Sequence, residues 1–141
     1  MSKGKAVCID YGKKRIGVAT GDLEMKIAFP RQVFENKGLE KAAKRVFEIV
    51  SEFEAGVVVL GYPLNMEQGA KNSMMIEVEK FREILQGVLP KEVEIVLFDE
   101  RLSSFEAKDF FKDARENKIA TSGRDDAYAA QITLQRYFDS L

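Results

Sequence analysis

Three acidic residues stand where a folded chain could bring their carboxylates together. Asp10 ends one short apolar run, Glu100 follows another, and Asp126 begins an amphipathic segment near the end of the chain. Carboxylate oxygens are the hard ligands that Mg²⁺ and Mn²⁺ prefer, and both cations also bind phosphate oxygens. Two such ions about 4 Å apart can cleave a phosphodiester by activating water and stabilising the leaving oxygen. Asp10, Glu100 and Asp126 are therefore candidate metal ligands and catalytic residues.

Each of these acids also has an ordinary structural explanation. An aspartate at the end of a strand often caps a turn, and an acid in the first turn of a helix interacts favourably with the helix dipole. Asp125 and Asp126 are adjacent, so one of them could serve only as a cap. Spacing alone therefore leaves open which acids would bind a metal.

Basic residues lie close to each acid in the sequence and are candidate phosphate binders: Lys13, Lys14 and Arg15 after Asp10, Arg101 after Glu100, and Arg124 before Asp126. The net charge is −1, from 22 basic and 23 acidic residues, whereas nucleic-acid-binding proteins usually carry a basic excess. Phosphate affinity depends on local charge, so basic residues close to each acid are compatible with a nucleic-acid substrate even at this net charge. The alternative is that these cations form surface ion pairs with the acids.

Composition excludes several kinds of site. The chain has no histidine, which excludes Ser-His-Asp and Cys-His catalysis and most zinc sites. The chain has a single cysteine, Cys8, which lies in an apolar run. One cysteine cannot form an internal disulfide, and this fits a reducing compartment. No apolar run approaches the roughly 20 residues that cross a bilayer, and the N-terminus lacks a secretory signal. We expect a cytoplasmic protein that does not contact a membrane.

The first third of the chain predicts strands. Residues Lys5–Asp10, Arg15–Gly21 and Ile27–Phe34 are apolar or alternating and are separated by short turns, as in a three-stranded antiparallel meander. Gly12 would be the permissive residue of the first turn. Pro30 places the third strand at a sheet edge, because proline cannot donate a ladder hydrogen bond.

The remainder alternates helices with buried strands. Apolar residues at helical spacing predict helices over Leu39–Phe53 and Met74–Val88, a third from Ser103, and a last one from about Ser122–Asp125. Apolar runs predict strands at Val57–Leu60 and Val93–Phe98, and 61–71 is a predicted loop.

The element order is then β-β-β-α-β-α-β-α-α. Right-handed crossovers give an α/β fold with a five-stranded mixed sheet, order 3-2-1-4-5, flanked by helices on both faces. The first strand is central, so its carboxyl end, which carries Asp10, is the topological switch point where such sheets bind ligands. We expect one domain over residues 1–141.

Four motifs occur in a specific order: Cys8-Ile-Asp-Tyr-Gly-Lys-Lys-Arg-Ile-Gly-Val-Ala19, Leu60-Gly-Tyr-Pro-Leu-Asn-Met66, Asp99-Glu-Arg-Leu-Ser-Ser104 with Glu106-Ala107, and Asp126-Ala-Tyr-Ala-Ala130 with Leu134-Gln135. Together they resemble the YqgF family, the Holliday-junction-resolvase-like proteins that are also described as candidate pre-16S rRNA nucleases. The resemblance covers essentially the whole chain. The sequence departs from the family pattern at Tyr62-Pro63 and at Glu67-Gln68-Gly69. These departures concern the predicted substrate loop and leave the three acids unchanged.

The resemblance implies a ribonuclease-H-like fold and selects Glu100 over Asp99 and Asp126 over Asp125. It implies a hydrolase, a metal-dependent endonuclease that uses Mg²⁺ or Mn²⁺ on nucleic-acid phosphodiesters. The implied role is bacterial and cytoplasmic: processing of the 5′ end of pre-16S rRNA in ribosome biogenesis. The alternative role is resolution of four-way DNA junctions in recombination and repair.

The sequence is also compatible with other interpretations. Asn65 could contact substrate or a metal-bound water, or could belong to a rigid strand exit fixed by Pro63. The Asp10-Tyr-Gly turn also resembles the phosphate loop of actin-like kinases, although that architecture needs two domains and this chain has the length of one. A non-catalytic RNA-binding module is a third possibility. Junction cutting would need two symmetry-related sites, and both a monomer and a homodimer are compatible with the sequence.

Overall fold

The computed structural model describes residues 4–62, 73–99 and 125–141. Several sequence-based predictions fall outside these ranges: the helix from Ser103, and the candidate site residues Asn65, Glu100, Arg101 and Arg124.

The described strands form one five-stranded mixed sheet of order β3-β2-β1-β4-β5, as predicted. The strands are β1 Lys5–Tyr11, β2 Arg15–Asp22, β3 Ile27–Glu35, β4 Val57–Tyr62 and β5 Glu94–Asp99. Strand β2 pairs antiparallel with both β1 and β3. On the other side of β1, β4 pairs parallel with β1, and β5 pairs parallel with β4. The central strand is therefore β1, and the carboxyl ends of β1, β4 and β5 share one rim of the sheet.

Strand β4 is longer than the sequence predicted. The predicted loop starts at Gly61, but β4 continues to Tyr62, whose Cα is paired with that of Asp99 in β5. Backbone pairing extends past the apolar run because ladder hydrogen bonds do not depend on side-chain type. The rim of the sheet is consequently one residue beyond Gly61 on this strand.

Helices cover both faces of the sheet. Helices α1 (Leu39–Phe53) and α2 (Ser73–Val88) bury their apolar sides with Val7 and Ile9 of β1, and helix α3 (Asp125–Asp139) packs on Ala6 and Cys8. The split follows the two-residue period of a strand, which sends successive side chains to opposite faces. Asp10 shares the period of Ala6 and Cys8, so it belongs to the face that α3 covers.

Strand β3 lies at the edge of the sheet, as Pro30 predicted.

Within the ranges that the structure covers, no helix is both long enough and apolar enough to span a membrane.

Core packing on the α3 face predicts a large effect of truncation at Phe138, whose side chain is fully buried. We expect Phe138→Ala to lower the free energy of unfolding by about 3–5 kcal/mol, because it removes apolar contacts and leaves a cavity. Phe47→Ala is the matched control, since Phe47 is 37% exposed, and it should cost under about 1 kcal/mol. Urea denaturation of both variants measures the difference, and equal losses would contradict the packing described here.

Candidate active site

Asp10 lies near the carboxyl end of the central strand and is half-buried. Its Cα is paired with that of Gly17 in the neighbouring strand β2. Cα atoms paired in this way are about 4.5–5.5 Å apart. Whatever packs against Gly17 on the α3 face is therefore close to Asp10.

The first turn of α3 packs against Gly17. A Cβ added to Gly17 would lie 2.0 Å from the carbonyl oxygen of Asp126 and 3.0 Å from the backbone nitrogen of Ala127. Only a residue without a side chain allows the helix backbone to come this near the sheet. This contact brings the backbone of Asp126 to the part of the sheet that carries Asp10.

Two glutamines fix the position of α3 along the sheet. Gln131 donates from Nε2 to the carbonyl oxygen of Ala28 at 3.0 Å. Gln135 accepts from the Ala28 N–H at 3.0 Å and donates to the Lys26 carbonyl oxygen at 2.8 Å. These bonds satisfy backbone groups of the edge strand β3 and the turn before it, and they resist sliding of the helix. Sequence analysis missed this role, although Gln135 belongs to one of the motifs.

Asp126 forms an ion pair with Arg15. The Arg15 Nε donates to Asp126 Oδ2 at 2.9 Å, and the two side chains are 60% and 32% exposed. Proximity in the sequence associates Arg15 with Asp10 and Arg124 with Asp126, but this pair joins residues 111 positions apart. The ion-pair alternative that the sequence left open is thus observed for Arg15.

The three basic residues after Asp10 line one open cleft, which we call the basic cleft. It is lined by Lys13, Lys14 and Arg15 together with Val33, Phe34, Glu35 and Asn36, and its volume is about 650 Å³. All three basic side chains are exposed. The cleft therefore presents three basic side chains together with the carboxylate of Glu35, and one of the three, Arg15, also contacts Asp126.

The turn that carries these cations is braced by Asn36, a residue that sequence analysis missed. Asn36 Nδ2 donates to the carbonyl oxygen of Gly12 at 2.8 Å, and its backbone N–H donates to the Lys14 carbonyl oxygen at 2.8 Å. A Cβ on Gly12 would lie 2.4 Å from the Arg15 carbonyl oxygen. Glycine is therefore required at position 12 because a side chain would collide with this carbonyl oxygen. The φ of Gly12 is not positive, so Gly12 does not use the left-handed conformation that glycine permits.

Tyr11 anchors the end of β1 on the opposite face. Its hydroxyl donates to Glu77 Oε1 at 2.7 Å, and its ring packs on Phe81 with centroids 4.9 Å apart. Burial, followed by the hydrogen bond to Glu77, raises the pKa of Tyr11 to about 12. The bond ties α2 to the residue next to Asp10, and a separation of 66 positions leaves no local sequence signal for it.

The donor set suits a hard divalent cation as far as the structure describes it. Asp10 and Asp126 carry the carboxylate oxygens that such a cation prefers and lie on two neighbouring elements, and the guanidinium of Arg15 reaches Asp126. Among residues 4–62, 73–99 and 125–141, no three His, Cys, Asp or Glu side chains form a metal-binding group. The predicted trio includes Glu100, which follows the last described residue of β5.

Comparison with known proteins identifies relatives over almost the whole chain. A family model described as "RuvX: Holliday junction resolvase" matches residues 4–140. Curated relatives named as candidate pre-16S rRNA nucleases come from Chlamydia felis, with 36% identity covering 99% of this chain and 96% of the relative, and Chlamydia pneumoniae, with 37% identity covering 94% and 88%. A third, from Nitrosospira multiformis, is 32% identical over 96% of this chain and 88% of the relative.

Solved structures share the fold at low sequence identity. RuvC of Thermus thermophilus, in complex with a Holliday junction substrate, superposes with a TM-score of 0.61 at 15% identity, covering 96% of this chain and 94% of that one. Fowlpox virus resolvase, in complex with Holliday junction DNA, gives 0.59 at 12% identity, covering 96% and 97%. These likenesses confirm the ribonuclease-H-like architecture.

The contact at Gly17 predicts that a single methyl group displaces the first turn of α3. We expect Gly17→Ala to destabilise the protein by about 1–3 kcal/mol, because the new Cβ overlaps backbone that cannot rotate away. Gly87→Ala is the matched control: a Cβ at this position in α2 meets nothing within 4 Å, so alanine should stabilise the helix by about 0.5–1 kcal/mol. Thermal unfolding measures both, and amide chemical shifts of residues 126–128 report the displacement. A neutral Gly17→Ala would contradict the close approach.

The pKa of Tyr11 predicts a specific loss of stability in alkali. A phenol with a pKa of 10.0 when unfolded and about 12 when folded contributes stability that is complete below pH 10 and is lost as the pH rises to about 12. Over that window the wild type should lose roughly 2 kcal/mol more than Tyr11→Phe. Glu77→Gln retains an acceptor without the charge and should give an intermediate loss. Identical pH profiles of the wild type and Tyr11→Phe would show that the folded protein does not raise the pKa of Tyr11.

Proposed function

Because the chain belongs to the RuvX family, also known as YqgF and a family of nucleases, we propose that it is a metal-dependent endonuclease that processes the 5′ end of pre-16S rRNA. The observation that carries this proposal is the seating of Asp126 beside the strand position that pairs with Asp10. This seating places two hard oxygen ligands at the rim where α/β sheets bind ligands. The proposal includes a single nuclease domain over residues 1–141 that works in the bacterial cytoplasm.

The proposed ligands of Mg²⁺ or Mn²⁺ are Asp10, Glu100 and Asp126. When bound, such a cation lowers the pKa of water and neutralises charge that develops on a phosphodiester. Glu100 comes directly after Asp99, the last residue of β5, and is included on the evidence of the sequence motif.

The remaining residues of the proposed site act on the substrate. Lys13, Lys14 and Arg15 would bind phosphate oxygens of the nucleic-acid backbone from the basic cleft, which Asn36 holds in shape. Contacts to phosphates fix the position of the nucleic acid on the protein but do not read its base sequence. From the sequence motifs we add Asn65, Arg101 and Arg124 as further substrate-binding residues.

A second candidate substrate is a four-way DNA junction. The description of the matching family model names Holliday junction resolvase, and the solved structures of similar fold include two resolvases bound to junction DNA. Two cuts across a junction need two symmetry-related sites, so this activity would require a homodimer. We favour the RNA substrate because the relatives of 32–37% identity are named for it.

Replacing any of the three acids should abolish cleavage. We expect Asp10→Asn, Glu100→Gln and Asp126→Asn to lower the rate at least about 100-fold, because each removes a ligand of a cation worth several kcal/mol in the transition state. Asp139→Asn, at the other end of α3, and Asp125→Asn, the sequence neighbour, should retain activity. The readout is cleavage of a 5′-extended 16S precursor in Mg²⁺ or Mn²⁺. Full activity of Asp10→Asn would exclude the proposed site.

The same assay separates the two substrates. The RNA proposal expects cleavage of the 16S precursor near its mature 5′ end and little cutting of a four-way DNA junction. Cleavage of the junction alone would establish the DNA alternative. If neither substrate is cut in either metal, the nuclease proposal fails and a non-catalytic RNA-binding role takes its place.

A further inference from the structure

Arg15 belongs to both halves of the site at once. It is the first residue of β2 and lines the basic cleft with Lys13 and Lys14, yet its Nε donates to Asp126 at 2.9 Å. Asp126 is one of the three acids proposed to bind the divalent cation. The same side chain therefore contacts a proposed metal ligand and faces the proposed path of the substrate.

We propose that Arg15 is an exchangeable counter-ion. In the metal-free protein its guanidinium neutralises Asp126; when a divalent cation binds, Arg15 leaves that carboxylate and binds a phosphate of the nucleic acid. This inference rests on the proposed function, because it takes Asp126 to be a metal ligand.

The ion pair is built to be exchanged. At 60% and 32% exposure the two side chains remain in contact with water, and exposed pairs of this kind contribute at most about 1 kcal/mol. A divalent cation on the same carboxylate carries twice the charge and repels the guanidinium. A guanidinium has five N–H donors in a planar fork, which matches a phosphate as well as a carboxylate.

Exchange of this kind couples the two ligands. The cation releases Arg15 for the phosphate, and the phosphate, by holding Arg15, releases Asp126 for the cation. Linkage requires the coupling to be equal in both directions. Metal and nucleic acid should therefore each bind more tightly in the presence of the other, and part of that cooperativity should depend on Arg15.

The first test measures Mn²⁺ binding without nucleic acid, by calorimetry on the whole chain. Arg15→Gln should bind Mn²⁺ about two- to fivefold more tightly than the wild type, since the competing ion pair is gone. Arg15→Lys, which keeps the charge, should stay close to the wild type. Arg45→Gln is the matched control, because Arg45 forms a similarly exposed pair with Glu48 at 3.1 Å on α1, and it should leave Mn²⁺ affinity unchanged. Unchanged or weaker binding by Arg15→Gln would overturn the proposal.

The second test measures the coupling. The probe is a short phosphorothioate RNA, chosen to resist cleavage, whose binding is followed by fluorescence anisotropy with and without saturating Mn²⁺. The rise in affinity that Mn²⁺ causes in the wild type should shrink in Arg15→Gln and persist in Arg45→Gln. An equal rise in all three proteins would overturn the exchange.

These experiments distinguish failure of the inference from failure of the proposed function. If Asp10→Asn abolishes Mn²⁺ binding while Arg15→Gln leaves it unchanged, the metal site stands and the exchange is wrong. If the wild type binds no Mn²⁺, the metal site itself is wrong and the exchange falls with it.

Discussion

The structure of the site depends on one close approach, that of the first turn of α3 to β2 at Gly17. The distance of 2.0 Å between a virtual Cβ and the Asp126 carbonyl oxygen leaves no room for any side chain. Because Gly17 is the partner of Asp10 across the ladder, the same contact sets the relation between the two acids. Gln131 and Gln135 hydrogen-bond α3 to the edge strand and to the turn before it. The contact at Gly17 therefore sets the distance between the helix and the sheet, and the two glutamines set the position of the helix along the sheet.

Local charge matters more here than net charge. The chain has a net charge of −1, yet Lys13, Lys14 and Arg15 line one cleft, and Arg15 also contacts Asp126. Acids that hold a divalent cation repel a polyanion until the cation binds, and adjacent basic side chains offset that repulsion. A balanced composition is therefore compatible with a nucleic-acid substrate when the charges are separated by position in the fold.

The architecture was largely predictable from sequence because it follows local periodicity. Alternation and apolar runs predicted all five strands and their order, and helical spacing predicted α1 and α2. The contacts that shape the site were not predictable in the same way. The pairs Arg15–Asp126 and Tyr11–Glu77 join residues 111 and 66 positions apart, and no local pattern indicates that these residues contact each other. The choice of Glu100 and Asp126 came from the ordered motifs, because Asp99 and Asp125 satisfy the same local patterns.

The claim that Asp10 and Asp126 belong to one divalent-cation site is tested most directly by adding sub-stoichiometric Mn²⁺ to the isotope-labelled protein and recording amide spectra. A paramagnetic ion broadens the signals of nearby amides first. The signals of residues 10–12, 17 and 126–128 should disappear before those of Lys5 and Gly56, which hydrogen-bond to each other at the far end of β1, about 17 Å from Asp10 along the strand. Uniform broadening, or early loss at Lys5 and Gly56, would contradict a metal site at this rim of the sheet.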